Sequence, residues 1–179
     1  MYLIGRLLSH LTTTLTTLGG LAIALMMLHV TLDVFLRYVL NAPLPGTITI
    51  VAYYYMIIAA FLPLAFAEQK NAHISVEVFT DLLPDRGQYH LAAWILPLSA
   101  AIFGGIAWRT WGEAVAKHNI TASVVQGNTS IPVWPTYYVL PIGFGLLSLV
   151  LAYKFLVYLF QSSSGLDEVR ARPEDLHTD

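Results

Sequence analysis

Residues 51–67 read VAYYYMIIAAFLPLAFA, and the fold class can be inferred from this stretch. It contains no charged side chain and no polar face, whereas a helix at the surface of a soluble bundle needs one polar side toward water. The stretch ends at Glu68, Gln69 and Lys70, where the chain returns to a polar environment. A helix of this composition therefore has the lipid bilayer as its solvent.

Long uncharged segments recur along the whole sequence. Each can hold a span of roughly 20 residues, the length that crosses about 30 Å of hydrocarbon. With 56% apolar and 11% charged residues, the composition excludes an ordinary soluble domain. A cleaved signal peptide is not expected, because the apolar stretch after Arg6 is too long and lacks a clean cleavage site. The uncharged runs are Leu7–Leu32, Tyr38–Ala67, Gly87–Trp108 and His118–Tyr153.

These runs predict an all-α integral membrane protein with four transmembrane helices and one interfacial amphipathic helix. The spans are expected over about 14–37, 47–67, 89–116 and 134–160, within a membrane domain of residues 1–160. Residues 161–179 are expected to form a polar cytoplasmic tail. A short turn at Asn41–Gly46 makes the first two helices antiparallel neighbours, and Pro63 is expected to kink the second. Gly104 and Gly105 indicate a close helix approach.

The distribution of Lys and Arg predicts the orientation, because the excess normally stays in the cytoplasm. With both termini inside, six basic residues face the cytoplasm and three face outward. The inner set is Arg6, Lys70, Arg86, Lys154, Arg170 and Arg172, and the outer set is Arg37, Arg109 and Lys117.

Residues 73–83 are too polar to span the membrane, yet they have an apolar half. A helix lying in the interface fits this pattern. A short strand is the alternative, because residues 73–78 also alternate with period two. The apolar half is Ile74, Val76, Val78, Phe79, Leu82 and Leu83, and the polar half is His73, Glu77, Thr80 and Asp81.

Several classes of function are excluded by what the sequence lacks. There is no cysteine, which removes disulfides, thiolate nucleophiles, Fe–S clusters and cysteine-based zinc sites. Net charge is −2 and no basic run occurs, so a nucleic-acid partner is not expected. No phosphate loop, nucleophile elbow or HExxH motif is present, and neither an enzyme activity nor a cofactor is predicted.

His29, Asp33 and Arg37 follow one another at intervals of four and form one stripe of the first helix. One interpretation is a proton or ion path, since ionisable groups inside a membrane usually face a cavity or a partner. The favoured interpretation is structural: Asp33 pairs with Arg37, and His29 bonds a neighbouring helix. All three should then face protein. Arg109 and Glu113 are also four apart and are expected to pair close to Trp108 and Trp111, at the outer interface.

Three motifs lie between the predicted spans. The first is RYVLNAPLPG at residues 37–46, the second is HISVE at 73–77 followed by Leu83-Pro84, and the third is GNTSIPVWP at 127–135. Their order and spacing, in a four-span layout, resemble the small membrane subunit of tripartite ATP-independent periplasmic (TRAP) transporters, the Q-subunit or DctQ-type family.

This resemblance implies a scaffold subunit rather than an enzyme, in the inner membrane of a bacterium or archaeon. Its partners would be a large multi-span subunit that moves substrate and sodium in an elevator fashion, a periplasmic substrate-binding protein, and membrane lipids. The imported solute would be a small organic acid or a related compound. The family often has a glutamate shortly after the first turn, whereas residues 47–50 here, TITI, contain no acid, so any role of that acid does not transfer.

The resemblance assigns structural or partner-interface roles to a set of residues. Asp33 and Arg37 would orient the first turn, residues 73–83 would form the interfacial helix, and two prolines, at 132 and 135, would begin the last helix. The full set is His29, Asp33, Arg37, Tyr38, Pro43, His73, Glu77, Gly127, Ser130, Pro132, Trp134 and Pro135.

Two other functions stay open at this point. A haem- or quinone-linked membrane anchor of a respiratory enzyme would need histidines from facing helices, and His29 and His118 are the pair expected on one side of the membrane. An independent proton-coupled carrier would use the His29 stripe.

Overall fold

A computed structural model describes residues 2–70 and 85–160, with side chains for 3–70 and 94–160. The predicted interfacial segment, with His73 and Glu77, and the predicted tail lie outside the described residues. The first helix, α1, covers Tyr2–Val39 and is therefore longer than the predicted span of 14–37. At about 1.5 Å per residue it is roughly 57 Å long, more than the bilayer core requires.

Threonines do not interrupt α1, because their hydroxyls bond back to the preceding turn, as expected for such residues in apolar helices. The hydroxyl of Thr16 donates to the carbonyl of Thr12 at 2.8 Å, and that of Thr17 donates to Thr13 at 2.9 Å. Each hydroxyl is thereby satisfied without a partner from another helix. The helix ends where Asn41 adopts a φ of 53°, before the proline-bearing turn.

The second helix, α2, covers Thr47–Gln69 and is built in segments. A π-helical turn at Val51–Tyr55 interrupts its α-helical geometry, and a break at Leu62-Pro63 separates Met56–Phe61 from Leu64–Gln69. Proline removes a donor and its ring clashes with the preceding turn, which explains the predicted kink at Pro63.

The third helix, α3, covers Asp85–Asn119, and the fourth, α4, covers Val139–Phe160 after a 3₁₀ turn at Trp134–Tyr138. Between them lies a hairpin of two short antiparallel strands, β1 at Ser123–Gln126 and β2 at Thr129–Pro132. The sequence analysis did not predict this hairpin. Its turn is Gly127-Asn128, with Gly127 at a φ of 60°, a conformation that glycine adopts without strain.

The helices pack in the order α1, α2, α4, α3, so that α2 and α4 form the middle of the bundle. Close approach depends on small residues. A Cβ on Gly143 of α4 would lie 2.5 Å from the Phe61 carbonyl oxygen of α2. A Cβ on Gly104 of α3 would lie 3.1 Å from the Ser148 hydroxyl, which confirms the predicted approach at Gly104, whereas Gly105 faces open space.

Three of the described helices are long and apolar enough to cross a membrane: Leu3–Val39, Thr47–Gln69 and Trp134–Phe160. In the most apolar 18 residues of each, only 17%, 11% and 33% of the positions are buried, so this chain alone buries few of these apolar side chains. This exposure is the reverse of a soluble bundle and agrees with an integral membrane protein.

Candidate functional site

The turn between α1 and α2 is held by Asp33. One carboxylate oxygen accepts a hydrogen bond from the backbone N–H of Leu44 at 2.8 Å, and the other pairs with the Arg37 guanidinium at 3.0 Å. Asp33 is only 4% exposed. A buried carboxylate needs such partners to offset the loss of water. The predicted pair is therefore present, and Asp33 joins the end of α1 to the start of α2.

Arg37 differs from its two stripe partners in exposure. Its side chain is 61% exposed, so within this chain protein covers only the part of Arg37 that meets Asp33, and the prediction that all three residues face protein stays a prediction for Arg37. One nitrogen of the guanidinium reaches Asp33, while most of the side chain stays exposed. The next residue, Tyr38, is 91% exposed. Together they place a cation and an aromatic ring on the surface at the end of α1.

His29 meets the π-helical turn of α2, as the predicted bond to a neighbouring helix requires. Its Nδ1 lies 3.4 Å from the Tyr55 hydroxyl, and the two rings are edge-on at a centroid distance of 5.8 Å. The other ring nitrogen, Nε2, is buried and has no hydrogen-bond partner within the described part of the chain. The π-turn places Tyr55 against α1 at this level, which sequence periodicity does not reveal.

The hairpin docks on the start of α2 through Gln126. Its side-chain carbonyl accepts hydrogen bonds from the backbone N–H of Thr49 at 2.9 Å and from the Thr49 hydroxyl at 2.8 Å. The first turn of a helix has N–H groups without intrahelical partners, and an oxygen from outside the helix satisfies one of them. The same stretch is the one that lacks an acidic residue. An amide oxygen from β1 therefore occupies the start of α2.

Ile131 of β2 completes this docking by packing on Gly46. A Cβ on Gly46 would lie 2.2 Å from the Ile131 Cδ1, and Gly46 has a φ of 81°. The left-handed backbone favours glycine at this position, and a Cβ would in addition have to displace the end of the Ile131 side chain. The Tyr54 hydroxyl also donates to the carbonyl of Pro132. The prediction that Pro132 begins the last helix is wrong, because Pro132 ends strand β2.

The third motif also contributes the start of the last helical segment. Trp134 and Pro135 open the 3₁₀ turn that leads into α4, as predicted, and proline is suited to a first turn because the missing N–H needs no partner there. Ser130 pairs with Val125 across the hairpin. Pro43 lies in the exposed turn just before Leu44. These motif residues therefore shape the outer end of the bundle.

His118 packs against the 3₁₀ turn. Its ring centroid lies 4.3 Å from that of Trp134, and its Nδ1 lies 3.3 Å from the Tyr138 hydroxyl. His29 and His118 thus have different aromatic neighbours on different elements. Among the described residues no group of three or more His, Cys, Asp or Glu side chains could hold a metal ion.

The predicted pairing of Arg109 with Glu113 is wrong. Glu113 instead pairs with Lys117 at 3.7 Å, one turn closer to the end of α3. A carboxylate with cations four residues away on both sides can pair with either of them. On a helix the pair in which the Lys is C-terminal to the Glu is the more favourable one. The pair is partly exposed, which agrees with the expected location near water.

At the opposite end of the bundle an ion pair joins α4 to α2, and the sequence analysis did not predict it. The Lys154 ammonium of α4 pairs with the Glu68 carboxylate at 2.9 Å and also donates to the Glu68 backbone carbonyl. The two side chains are 10% and 16% exposed. A cation at the C-terminal end of α2 also meets the negative end of the helix dipole. Lys154 therefore fixes α4 to the end of α2.

A second contact at the same end joins α2 to α1. Gln69 is fully buried, its amide nitrogen donates to the Ser9 hydroxyl at 2.9 Å, and its carbonyl oxygen accepts from the Thr12 hydroxyl. The Thr12 hydroxyl also lies 2.9 Å from the Ser9 carbonyl. Buried polar groups that satisfy one another specify a single helix register. The polar side chains at both ends of the bundle thus connect its own helices.

Comparison with known proteins identifies the family. The profile described as "Tripartite ATP-independent periplasmic transporters, DctQ component" matches residues 26–161, which is more than half of the chain. The match begins near the His29 stripe and covers the turn, the hairpin and α4. A search of curated proteins finds no relative. The chain therefore belongs to the DctQ family, the small membrane component of the tripartite ATP-independent periplasmic transporters.

Proposed function

We propose that this chain is the small scaffold subunit of a sodium-coupled, binding-protein-dependent transporter. It would support a large elevator-type membrane subunit that imports a small organic acid or a related solute, which a periplasmic binding protein delivers. Family membership supports the system, and the name of the family implies its three parts. The sodium coupling, the solute class and the elevator partner are the proposal.

The scaffold role is supported by what the polar side chains of this chain bond to. A carrier needs polar groups that face a substrate cavity, since binding sites converge polar atoms on a ligand. In the described bundle, Asp33, Gln69 and Lys154 are instead bonded to neighbouring segments of the same protein. These contacts fix helices to one another. A rigid body of this kind is suited to remain still while a partner moves against it.

We further propose that α3 is the fourth span and that both termini lie in the cytoplasm of an inner-membrane protein. The uncharged run Gly87–Trp108 supports the span. The excess of basic residues on the N-terminal side supports the orientation. In this arrangement the hairpin, Asp33 and Arg37 lie on the periplasmic side, and the Glu68–Lys154 pair lies toward the cytoplasm.

A part of the partner surface is proposed at the outer end of α1. Tyr and Arg are the residues most often found at energetic centres of interfaces. Arg37 is oriented by Asp33 and largely exposed, and Tyr38 is almost fully exposed. A guanidinium that already has one partner retains further N–H donors for a second. The large subunit would supply a carbonyl or carboxylate oxygen there.

Reconstituted uptake tests this function. Proteoliposomes with an inward sodium gradient receive this chain alone, the large subunit alone, or both, and the binding protein with its labelled solute is added outside. Uptake is expected only with both membrane proteins. Uptake by this chain alone would show an independent carrier, and full uptake by the large subunit alone would contradict the need for a scaffold.

A further inference from the structure

An apolar groove of about 590 Å³ opens between the N-terminal half of α1 and α4. Leu7, Leu11 and Leu15 follow at intervals of four and form one wall, because residues four apart share a helix face. The opposite wall is formed by Ile142, Leu146 and Leu149 of α4.

The end of the groove nearest the N-terminus has basic side chains. His10 lines the groove and is exposed, and Arg6 lies one turn earlier on the same face of α1, also exposed. The Thr14 hydroxyl lines the same wall but already donates to the His10 carbonyl at 2.8 Å. The guanidinium carries five N–H donors, more than one partner can use, and the imidazole adds another. Both residues lie on the predicted cytoplasmic side.

The character of the walls favours a flexible chain over a helix as the occupant. Helices in a membrane pack closely where small residues line the contact. The walls here are mainly bulky: five leucines and Ile142, with Trp111 of α3 and Pro141 beside them, and Gly145 is the one glycine among the lining positions. Bulky, flexible side chains leave a channel that an acyl chain can follow, whereas they would hold a helix backbone away.

We propose that this groove is a binding site for one anionic phospholipid. One acyl chain lies along the leucine stripe of α1, and the phosphate oxygens accept hydrogen bonds from His10 and Arg6. Basic residues at the cytoplasmic end of membrane helices attract anionic lipids, and a groove between helices adds shape to that attraction. The lipid fills the space where α1 and α4 diverge and couples them. This site does not depend on the transporter role.

Photolabelling tests the site in the full chain, purified with its co-purifying proteins into nanodiscs of phosphatidylglycerol and phosphatidylcholine. One of the two lipids carries a diazirine on its acyl chain, and peptide mass spectrometry identifies the labelled positions. Label is expected on residues 7–15 and 142–149, above the level at Leu21 and Leu28. These are exposed positions of α1 outside the groove and serve as the internal reference.

Variants test the apolar groove and its basic end separately. Leu11→Trp and Leu149→Trp, both at exposed positions that tolerate substitution, should fill the groove and remove its label, whereas the control Leu28→Trp should not. Arg6→Gln should reduce the preference for phosphatidylglycerol over phosphatidylcholine by about fivefold, the factor for one basic residue near an anionic headgroup. Equal labelling of all exposed stripes, or an unchanged preference in Arg6→Gln, would overturn the proposal. Loss of the label whenever the large subunit co-purifies would assign the groove to a protein partner and also overturn it.

Discussion

Removing the Lys154 ammonium is expected to destabilise the protein by about 3–5 kcal/mol, the typical cost of breaking one side of a largely buried ion pair. The pair is short, at 2.9 Å, and its side chains are only 10% and 16% exposed. Lys154→Met keeps the apolar stem and deletes the charge, so the Glu68 carboxylate and carbonyl lose the hydrogen bonds that the Lys154 ammonium donates. The loss corresponds to a fall in Tm of about 6–20 °C for a chain of this size.

Thermal unfolding in mild detergent, followed by tryptophan fluorescence, measures this effect. The double variant Glu68→Gln/Lys154→Met removes both charges and should recover most of the stability, because a pair replaced by neutral groups costs little. Lys117→Met is the matched control: its pair with Glu113 is 3.7 Å long and its side chains are 34% and 46% exposed. It should cost less than about 1 kcal/mol. Equal losses in Lys154→Met and Lys117→Met, or no recovery in the double variant, would refute the reasoning.

Three further predictions concern the outer end of the bundle. Gly46→Ala should lower the free energy of unfolding by about 1–2 kcal/mol for the left-handed backbone alone, and by more for the contact with Ile131. Adding Ile131→Val removes Cδ1 and should restore part of the Tm. No recovery would show that the contact is not the cause. Gln126→Leu removes the oxygen that accepts from the N–H and hydroxyl of Thr49 and should lower the free energy of unfolding by about 1–3 kcal/mol. Hydrogen exchange at the Thr49 N–H should become faster. Unchanged exchange would contradict the docking of the hairpin on α2. Arg37→Ala should lower transport mainly by weakening association with the large subunit, which co-purification measures; full association with lost transport would assign Arg37 another role.

Sequence reasoning predicted features of the fold that depend on local chemistry. Uncharged runs predicted the apolar helices, and three of them are long and apolar enough to span a membrane. Proline chemistry predicted the break at Pro63, and i,i+4 spacing predicted the pair of Asp33 with Arg37. The same spacing was misleading for Glu113, because Lys117 offered a second cation at an equal interval in the opposite direction.

Contacts between distant segments could not be predicted from one sequence. Gln69 bonds residues 57 and 60 positions away, and nothing in its own neighbourhood indicates which helix it will face. The docking of Gln126 on Thr49 joins positions 77 apart. The hairpin that positions Gln126 did have a local signal, since Gly127-Asn128 between β-branched residues is typical of a two-residue hairpin turn.

We propose that this chain works as a part of a larger membrane complex. Affinity purification of the chain from native membranes in mild detergent, with the co-purifying proteins identified and their ratios determined by mass spectrometry, shows whether it does. We expect one large multi-span protein in a fixed ratio to this chain, and less of that protein when the chain carries Arg37→Ala. Recovery of the chain alone, or with a flavoprotein or an Fe–S subunit, would rule out this role.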